Sequence, residues 1–154
     1  MIVTSSGIVN GVLLDKYGKR GARDSKSHMP TLSFPLNITD APKNTKAYAI
    51  VFDDPDSVPV CGFKWIHWLA ITTKTELQEN ASVTDKSLVQ GVNSWGVSLY
   101  GGMAPPDRPH TYICTVYALD CVPSLTDGFT IENLQSVLTL HTLDSFTLKG
   151  LYDN

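Results

Sequence analysis

The sequence predicts a mainly β domain, built from antiparallel strands with one or two peripheral helices. Three observations lead to this fold class. Several apolar runs have the length, and the branched and aromatic content, of buried strands. Pro, Gly, Asp and Asn cluster between these runs, as turns require. Only one stretch, near the C-terminal end, has the spacing and the end signals of a helix.

The predicted strands follow one another along the chain. The stretch from Thr31 to Leu36 alternates crudely between polar and apolar residues. Ala47 to Phe52 is a nearly continuous apolar run, which is typical of a strand buried on both faces. Phe63 to Ile71 and Thr111 to Leu119 are two more runs of this kind, rich in aromatic and branched residues. Phe146 to Tyr152 is expected to be a short closing strand.

The one convincing helix is predicted to begin after Thr130, whose hydroxyl is suited to an N-cap. Glu132 falls in the first turn, where the helix dipole favours a negative charge. Leu134, Val137 and Leu138 follow at helical spacing. We therefore expect a helix that covers one face of the sheet.

Composition and charge exclude several classes of protein. The 154 residues, 42% of them hydrophobic, suit one domain spanning residues 1–154 rather than a disordered chain. The formal net charge of −3, with no basic face, argues against nucleic-acid binding. The first residues lack the basic and apolar regions of a signal peptide, and no apolar run is long enough to span a bilayer. A cytoplasmic location is the resulting expectation.

Cysteine use agrees with that location. The chain has three cysteines, Cys61, Cys114 and Cys121, and no two of them are spaced as a C-x-x-C pair. An odd number of cysteines is poorly suited to a disulfide framework. We expect three reduced and partly buried thiols.

Polar residues that are suited to chemistry gather near the ends of the predicted strands. Asp54 and Asp56 flank a proline, which makes the segment an ordered turn; taken alone, it is most often a solvated acidic turn. His67 lies inside an apolar strand, where strand alternation predicts that it shares a face with Trp65 and Leu69. A buried histidine there needs a partner for at least one ring nitrogen.

A third polar group runs from Tyr100 to Tyr112. Two glycines permit close approach to the main chain, and three prolines stiffen the loop. His110 and Tyr112 are two residues apart at the start of a strand, so their side chains are expected on one face. A preorganised loop of this kind loses less entropy on binding a ligand.

Taken together, these stretches resemble the signature of the phosphatidylethanolamine-binding protein family, in particular its bacterial and archaeal branch. The motifs are D-P-D at 54–56, W-I-H-W at 65–68 and Y-G-G-x-x-P-P-D-x-x-H-x-Y at 100–112. The resemblance implies an antiparallel β-sandwich, in which a large sheet packs against a smaller one. It also implies an anion pocket at one end of the large sheet.

The resemblance also assigns residues to that pocket. It implies that Asp54, His67, His110 and Tyr112 line the pocket and that Gly101, Gly102, Pro105 and Pro106 form its wall. Asp56 and Pro59 of the acidic turn belong to the same predicted ligand-binding set, and Trp65 is a candidate for its apolar rim. One departure from the family pattern is Thr111, which stands where an Arg is common.

These assignments give a mechanistic hypothesis. Asp54 is expected to orient both imidazoles and to raise their pKa above the usual 6.5 or so. His67 and His110 then donate hydrogen bonds to phosphate, carboxylate or a phospholipid headgroup. We expect weak binding of a bare anion that weakens further as the pH rises, with no cofactor.

Three alternatives remain open at this point. His67, His110 and Asp54 could bind a metal ion, or could act in a metal-independent hydrolase or lyase. No G-x-S-x-G serine is present, and no cysteine is expected beside the site to serve as a nucleophile. The third alternative is an interaction protein that modulates a partner kinase or protease. Exposed strand edges would favour a homodimer.

Overall fold

The computed structural model describes residues Met1–Asp153 and confirms the predicted β-sandwich. Its strands are β1 (Ile2–Thr4), β2 (Ile8–Val9), β3 (Val12–Leu13), β4 (Leu36–Thr39), β5 (Ala47–Asp54), β6 (Trp65–Thr72), β7 (Glu76–Leu77), β8 (Val89–Gly91), β9 (His110–Leu119) and β10 (Thr142–Tyr152). Seven of them form a large sheet in the order β2-β3-β10-β9-β5-β6-β8, and β1-β4-β7 form a smaller sheet. The described pairings are antiparallel except for the parallel pair of β10 with β3.

Three α-helices lie outside the sheets: α1 (Val58–Cys61), α2 (Ala81–Thr84) and α3 (Ile131–His141). Two short 3₁₀ helices span Asp15–Tyr17 and Pro55–Ser57. The N-cap prediction for α3 is confirmed, since Thr130 Oγ1 accepts the Asn133 N–H and Asn133 Oδ1 accepts the Thr130 N–H. At its other end α3 runs directly into β10. In the described part of the chain, no helix has the length and apolar character needed to cross a bilayer.

The apolar side chains form two clusters, one on each face of the large sheet. The first fills the space between the two sheets and contains Phe34, Ile50, Phe52, Trp68, Tyr100 and Tyr112 among its largest members. The second lies between the outer face of the large sheet and α3, whose Leu134 is fully buried there. The prediction that the helix covers the sheet is therefore confirmed.

Two predicted strands differ from the observed ones. The strand predicted for Thr31 to Leu36 is wrong, because a strand begins only at Leu36. Ser33 instead uses its carbonyl and hydroxyl oxygens to accept the N–H groups of Asn80 and Ser82 in and beside α2. The closing strand starts at Thr142 rather than at Phe146, because α3 leaves no loop before it.

A β-bulge interrupts the pairing of β5 with β6. Phe52 pairs with Trp68, but the next residue of β5, Asp53, pairs with Ile66, so His67 is the extra residue of β6. A bulge shifts the alternation of side chains by one position. Consequently His67 shares a face with Trp68 and Trp65, whereas the predicted shared face with Leu69 is wrong: Leu69 packs in the cluster under α3.

Candidate functional site

A cavity of about 310 Å³ opens at the end of the large sheet where β5 finishes and where β6 and β9 begin. Antiparallel pairing brings these three strand ends to the same edge of the sheet. The residues that line the cavity are Asp54, Ser57, Val60, Cys61, Trp65, His67, Trp95, Ala104, Pro106, His110 and Tyr112. All three sequence motifs therefore contribute to one site.

Six of the residues assigned to the site from sequence line this cavity: Asp54, Trp65, His67, Pro106, His110 and Tyr112. The other five are Asp56, Pro59, Gly101, Gly102 and Pro105, which lie around the cavity or in its framework without lining it. Pro59 is exposed in α1, and Pro105 is buried behind the loop.

Asp56 joins two of the cavity-forming segments. Its Oδ2 accepts the backbone N–H of Thr111 at 2.8 Å, and its Oδ1 lies 3.2 Å from the guanidinium of Arg108. These contacts, with the Thr111 N–H contributing most, hold the pKa of Asp56 below its ordinary value. Asp56 thus fastens the acidic turn to the start of β9 rather than facing a ligand.

The two glycines are structural because no side chain fits at either position. A Cβ on Gly101 would lie 2.6 Å from the Trp95 ring, and a Cβ on Gly102 would lie 2.0 Å from the carbonyl oxygen of Tyr17. The main chain can therefore pass directly behind the cavity wall. That close approach places the Gly101 carbonyl beside His67.

His67 is held by Gly101 and not by Asp54, which corrects the predicted arrangement of the two imidazoles. Its Nδ1–H donates to the Gly101 carbonyl oxygen at 2.7 Å. Complete burial, only partly offset by this hydrogen bond, lowers the pKa of His67 to about 4. The ring is therefore neutral near pH 7, and its Nε2 is a hydrogen-bond acceptor rather than the predicted donor.

His110 is the imidazole that Asp54 does orient. The His110 Nδ1–H donates to Asp54 Oδ2 at 2.6 Å. On its other side, Nε2 lies 2.9 Å from Oδ1 of Asp107, a residue whose side chain is about half exposed. The ring can donate to both carboxylates at once only when it carries two protons. Burial raises the pKa of Asp54, while the contact with His110 opposes that rise.

Three buried polar atoms around the cavity have no hydrogen-bond partner. They are Asp54 Oδ1, Trp65 Nε1 and Tyr112 Oη, the complete set of such side-chain atoms found within residues 1–153. All three belong to residues that line the same cavity. Since buried polar groups in proteins are nearly always satisfied, this convergence indicates a place for a polar ligand.

Tyr112 occupies a central position among the polar groups. Its ring centroid lies 5.1 Å from that of His67 and 6.2 Å from that of His110. Burial, reinforced by the nearby charge of Asp54, raises the pKa of Tyr112 well above its ordinary value. The phenol consequently keeps its proton and can donate it in a hydrogen bond.

Sequence reasoning missed five lining residues: Ser57, Val60, Cys61, Trp95 and Ala104. Cys61 overturns the expectation that no cysteine lies beside the site. It is a free, exposed thiol at the end of α1, and the short turn between β5 and β6 folds it back over the cavity. A proline-containing helical turn after the D-P-D motif was the signal that could have placed it there.

Ser57 and Trp95 were missed for different reasons. Ser57 Oγ lies 2.6 Å from the Asp54 carbonyl and 2.9 Å from the Phe63 carbonyl, and accepts the Trp65 N–H, so it closes the turn. Trp95 comes from a loop without strand or helix periodicity, and its ring packs edge-on against Trp65 and His67. No sequence pattern ties that loop to the cavity.

A larger depression of about 640 Å³ lies on the opposite face of the large sheet, beside α3. Its one buried charge, Asp53, forms an ion pair with Lys64 at 2.8 Å. None of the unpartnered polar atoms points into this depression. Convergence of unsatisfied groups therefore favours the smaller cavity as the functional site, despite its size.

The geometry does not favour a metal ion held by His67, His110 and Asp54. Nδ1 of His67 and both ring nitrogens of His110 already face oxygen partners. Within residues 1–153, one set of three side chains has the spacing of metal ligands, and it lies at the far end of β9 from this cavity.

Comparisons with known proteins agree with the fold. A family model described as phosphatidylethanolamine-binding protein matches residues 4–153. The chain is 39% identical to the uncharacterized protein YxkA of Bacillus subtilis over 92% of this chain and 94% of that protein. It is 31% identical to a protein of Chlamydia pneumoniae described only as a UPF0098 protein, over 79% of this chain and 83% of that one.

Two solved structures are similar over nearly the whole chain. One is described as a phosphatidylethanolamine-binding protein homolog from Chlamydia trachomatis, with a TM-score of 0.84 and 30% identity over 99% of this chain and 96% of that chain. The other is Escherichia coli YbcL, described as a member of the mammalian family of the same name. It has a TM-score of 0.82 and 26% identity over 99% of this chain and 97% of that chain.

Proposed function

Because this chain belongs to the phosphatidylethanolamine-binding protein family, we propose that it is a binding protein whose cavity holds a phosphate-like anion or a phosphorylated headgroup. One observation carries the proposal: the unpartnered atoms of Asp54, Trp65 and Tyr112 all border one cavity. An unsatisfied buried polar group destabilises the empty protein by about 1–3 kcal/mol. A ligand that satisfies all three recovers that free energy on binding.

Two neutral donors are suited to anion oxygens. The indole N–H of Trp65 can only donate, and the phenol of Tyr112 keeps a proton that meets no acceptor. A phosphate oxygen accepts from such groups without requiring a cation to be buried. These two side chains would thus donate the first two hydrogen bonds to the oxyanion.

Two acceptors favour a ligand that also carries a proton. Asp54 Oδ1 has no partner, and Nε2 of the neutral His67 ring bears a lone pair. A fully deprotonated anion would be repelled by both. A protonated phosphate oxygen, or the ammonium group of a phosphoethanolamine, would instead donate to them.

His110 would provide the third donor, but only in competition with Asp107. Asp107 Oδ1 takes the place at His110 Nε2 that an anion oxygen would occupy. Asp107 is about half exposed, and its neighbour Arg108 lies 3.9 Å from its other oxygen. A ligand must therefore displace this carboxylate before it can reach the imidazole.

Magnitudes indicate weak binding of a bare anion. Two or three hydrogen bonds with a charged partner contribute about 1.5–3 kcal/mol each. Lost translational and rotational freedom costs at least about 4 kcal/mol. The Kd for inorganic phosphate is therefore expected between about millimolar and high micromolar.

The geometry supports a binding protein more than an enzyme. His110 Nε2 faces the Asp107 carboxylate rather than a nucleophile. Ser57 Oγ is already occupied by three backbone groups of the turn. A cytoplasmic location is part of the proposal, supported by the three free cysteines. Modulation of a partner kinase or protease, and a homodimer, remain predictions.

The test is a titration of the full chain with inorganic phosphate and, separately, with O-phosphoethanolamine. The titration is monitored by proton–nitrogen correlation NMR spectra. We expect saturable shifts at the Trp65 indole N–H and at the backbone of His110 and Tyr112. His110→Ala should weaken these shifts, whereas His141→Ala, a matched histidine outside the cavity, should not. Shifts confined to surface lysines, or unchanged by His110→Ala, would reject the proposal. Vesicles containing phosphatidylethanolamine separate a lipid source from the free headgroup.

A further inference from the structure

Three side chains with metal-binding atoms meet at the opposite end of β9 from the cavity. Asp120 and Cys121 directly follow β9, and His141 is the last residue of α3. One carboxylate oxygen, the thiol sulfur and one imidazole nitrogen all lie within 4.8 Å of one another. Nothing in the proposed pocket uses these residues.

The backbone holds the two elements in register. The Asp120 N–H donates to the His141 carbonyl oxygen at 3.1 Å, and the His141 Nδ1–H donates to Asp120 Oδ1 at 2.8 Å. The side chains of His141 and Asp120 are 40% and 46% exposed, and Cys121 is partly buried. One main-chain and one side-chain hydrogen bond therefore hold Asp120 and His141 together, and both side chains are accessible from solvent.

We propose that Asp120, Cys121 and His141 form a binding site for a divalent transition metal ion of the zinc class. Sulfur, imidazole nitrogen and carboxylate oxygen are the three ligand types that zinc takes in proteins. Tetrahedral coordination at bond lengths of about 2.0–2.3 Å places ligand atoms about 3.3–3.8 Å apart. Reaching that spacing requires the Asp120 and His141 side chains, which are 46% and 40% exposed, to turn from their present contact, and solvent would supply the fourth ligand.

Metal binding is coupled to proton release. The Cys121 thiol gives up its proton to solvent and coordinates as the thiolate. His141 coordinates through a ring nitrogen that carries no proton, so a proton on that nitrogen moves through solvent to the other ring nitrogen or is released. The Asp120 carboxylate loses its hydrogen bond and gains a metal bond. Affinity should accordingly rise with pH.

Two electrostatic effects act in opposite directions on the ion. The C-terminal end of α3, an 11-residue helix, carries the negative end of the helix dipole and favours a cation beside His141. Lys43 and Lys46 border a shallow depression that also includes Asp120, and their positive charges disfavour a cation there. The thiolate must therefore supply much of the affinity, which makes Cys121 the decisive residue to test.

The first experiment adds cobalt(II), and then zinc, to the metal-free full chain. We expect one cobalt per chain, with a thiolate-to-cobalt charge-transfer band that zinc abolishes. Cys121→Ser should remove the band, and His141→Ala and Asp120→Ala should each weaken binding at least about tenfold, since losing even an outer partner of a ligand has that effect. Cys61→Ser and His110→Ala, which alter the distant cavity, are matched controls and should bind normally.

The second experiment uses the unaltered chain, so that it does not depend on any variant folding. Zinc should protect Cys121 from a small alkylating reagent, as read by mass spectrometry of the peptides. The exposed thiol Cys61 is the internal control and should react equally with and without zinc. No charge-transfer band, a band that survives Cys121→Ser, or equal protection of both thiols would each overturn the proposal.

Discussion

Two hydrogen bonds in opposite directions join His67 to Gly101. The Gly101 N–H donates to the His67 carbonyl oxygen at 2.8 Å, and the His67 ring Nδ1–H donates to the Gly101 carbonyl oxygen at 2.7 Å. The pair ties the bulge of β6 to the glycine loop. Burial keeps the imidazole neutral, and the Gly101 carbonyl holds its proton on Nδ1, which leaves Nε2 free to accept.

The first prediction concerns pH and the stability of the fold. An unfolded histidine binds a proton below about pH 6.5, whereas the pKa of folded His67 is about 4. Between these values the unfolded chain binds more protons, so the free energy of unfolding falls as the pH falls from about 6.5 to about 4. A lowering of this size corresponds to about 3 kcal/mol.

The measurement is urea unfolding of the unaltered chain and of His67→Gln at pH 7 and pH 4.5. The glutamine amide can still donate to Gly101 but does not titrate, so the variant should lose less stability between the two values. Raised pKa values at Asp53 and Asp54 act on both proteins and cancel in the comparison. An identical loss in both proteins would show that His67 is not the group responsible.

The second prediction concerns the carboxylate that competes for His110. Asp107→Ala removes the oxygen beside His110 Nε2 and one negative charge from the rim. Phosphate affinity should increase about three- to tenfold, because roughly one hydrogen bond with a charged group no longer has to be exchanged. Isothermal titration calorimetry at constant ionic strength gives the change.

The matched control for that variant is Asp40→Asn, which removes the same charge from a turn outside the cavity. It should leave the affinity within about twofold, since Asp40 does not line the cavity and salt screens exposed charges. Weaker binding after Asp107→Ala would mean that the carboxylate orders His110 for the ligand instead of competing with it.

The third prediction separates ligand binding from stability at one hydroxyl. Tyr112→Phe removes an unpartnered buried oxygen, so the ligand-free protein should keep its stability or gain up to about 1 kcal/mol. The same change should weaken phosphate binding about two- to tenfold, because a donor is lost. Thermal unfolding and titration on one preparation report both quantities.

Tyr100→Phe is the matched comparison. The Tyr100 hydroxyl is also fully buried, but it donates to the Tyr17 carbonyl oxygen at 2.8 Å and does not line the cavity. Its loss should destabilise the fold by about 1–3 kcal/mol without affecting phosphate. Two variants that behave alike in both assays would contradict the assignment of Tyr112 Oη as a ligand donor.

The fourth prediction uses the thiol at the cavity wall. Attachment of a bulky alkyl group to Cys61 should block phosphate binding, since its side chain lines a cavity of only about 310 Å³. Cys114 should stay unmodified, because burial raises its pKa to about 12 and hides its sulfur. Full phosphate affinity after stoichiometric modification of Cys61 would place the anion elsewhere.

Much of the architecture is predictable from sequence because burial determines where apolar residues occur along each strand and helix. The run from Ala47 to Phe52 is apolar on both faces since it lies between two packed layers. His110 and Tyr112 share the cavity face as strand alternation requires. Thr130 caps α3 through the same side-chain chemistry that made it recognisable.

The errors arise where tertiary contacts override local pattern. The segment from Thr31 to Leu36 alternates like a strand. Ser33, however, accepts hydrogen bonds from backbone N–H groups at the start of α2 instead of pairing with another strand. The neutral state of His67 depends on its complete burial, and its tautomer depends on the Gly101 carbonyl, which is 34 residues away in the chain. Trp95 enters the site from a loop whose position only the folded chain determines.

The extra residue in β6 has a consequence for how the strand can change. Residues before His67 and residues from Trp68 onward follow independent phases of alternation. Deleting His67 would restore regular alternation from Trp65 to Leu69, because Trp65 and Trp68 already lie on one side of the sheet and Ile66 and Leu69 on the other. The cavity would lose its buried imidazole, while Trp65 would keep its place in the wall. The packing of Trp68 between the two sheets would be unchanged. A change at the cavity end of this strand can therefore alter ligand preference without disturbing the core at its other end.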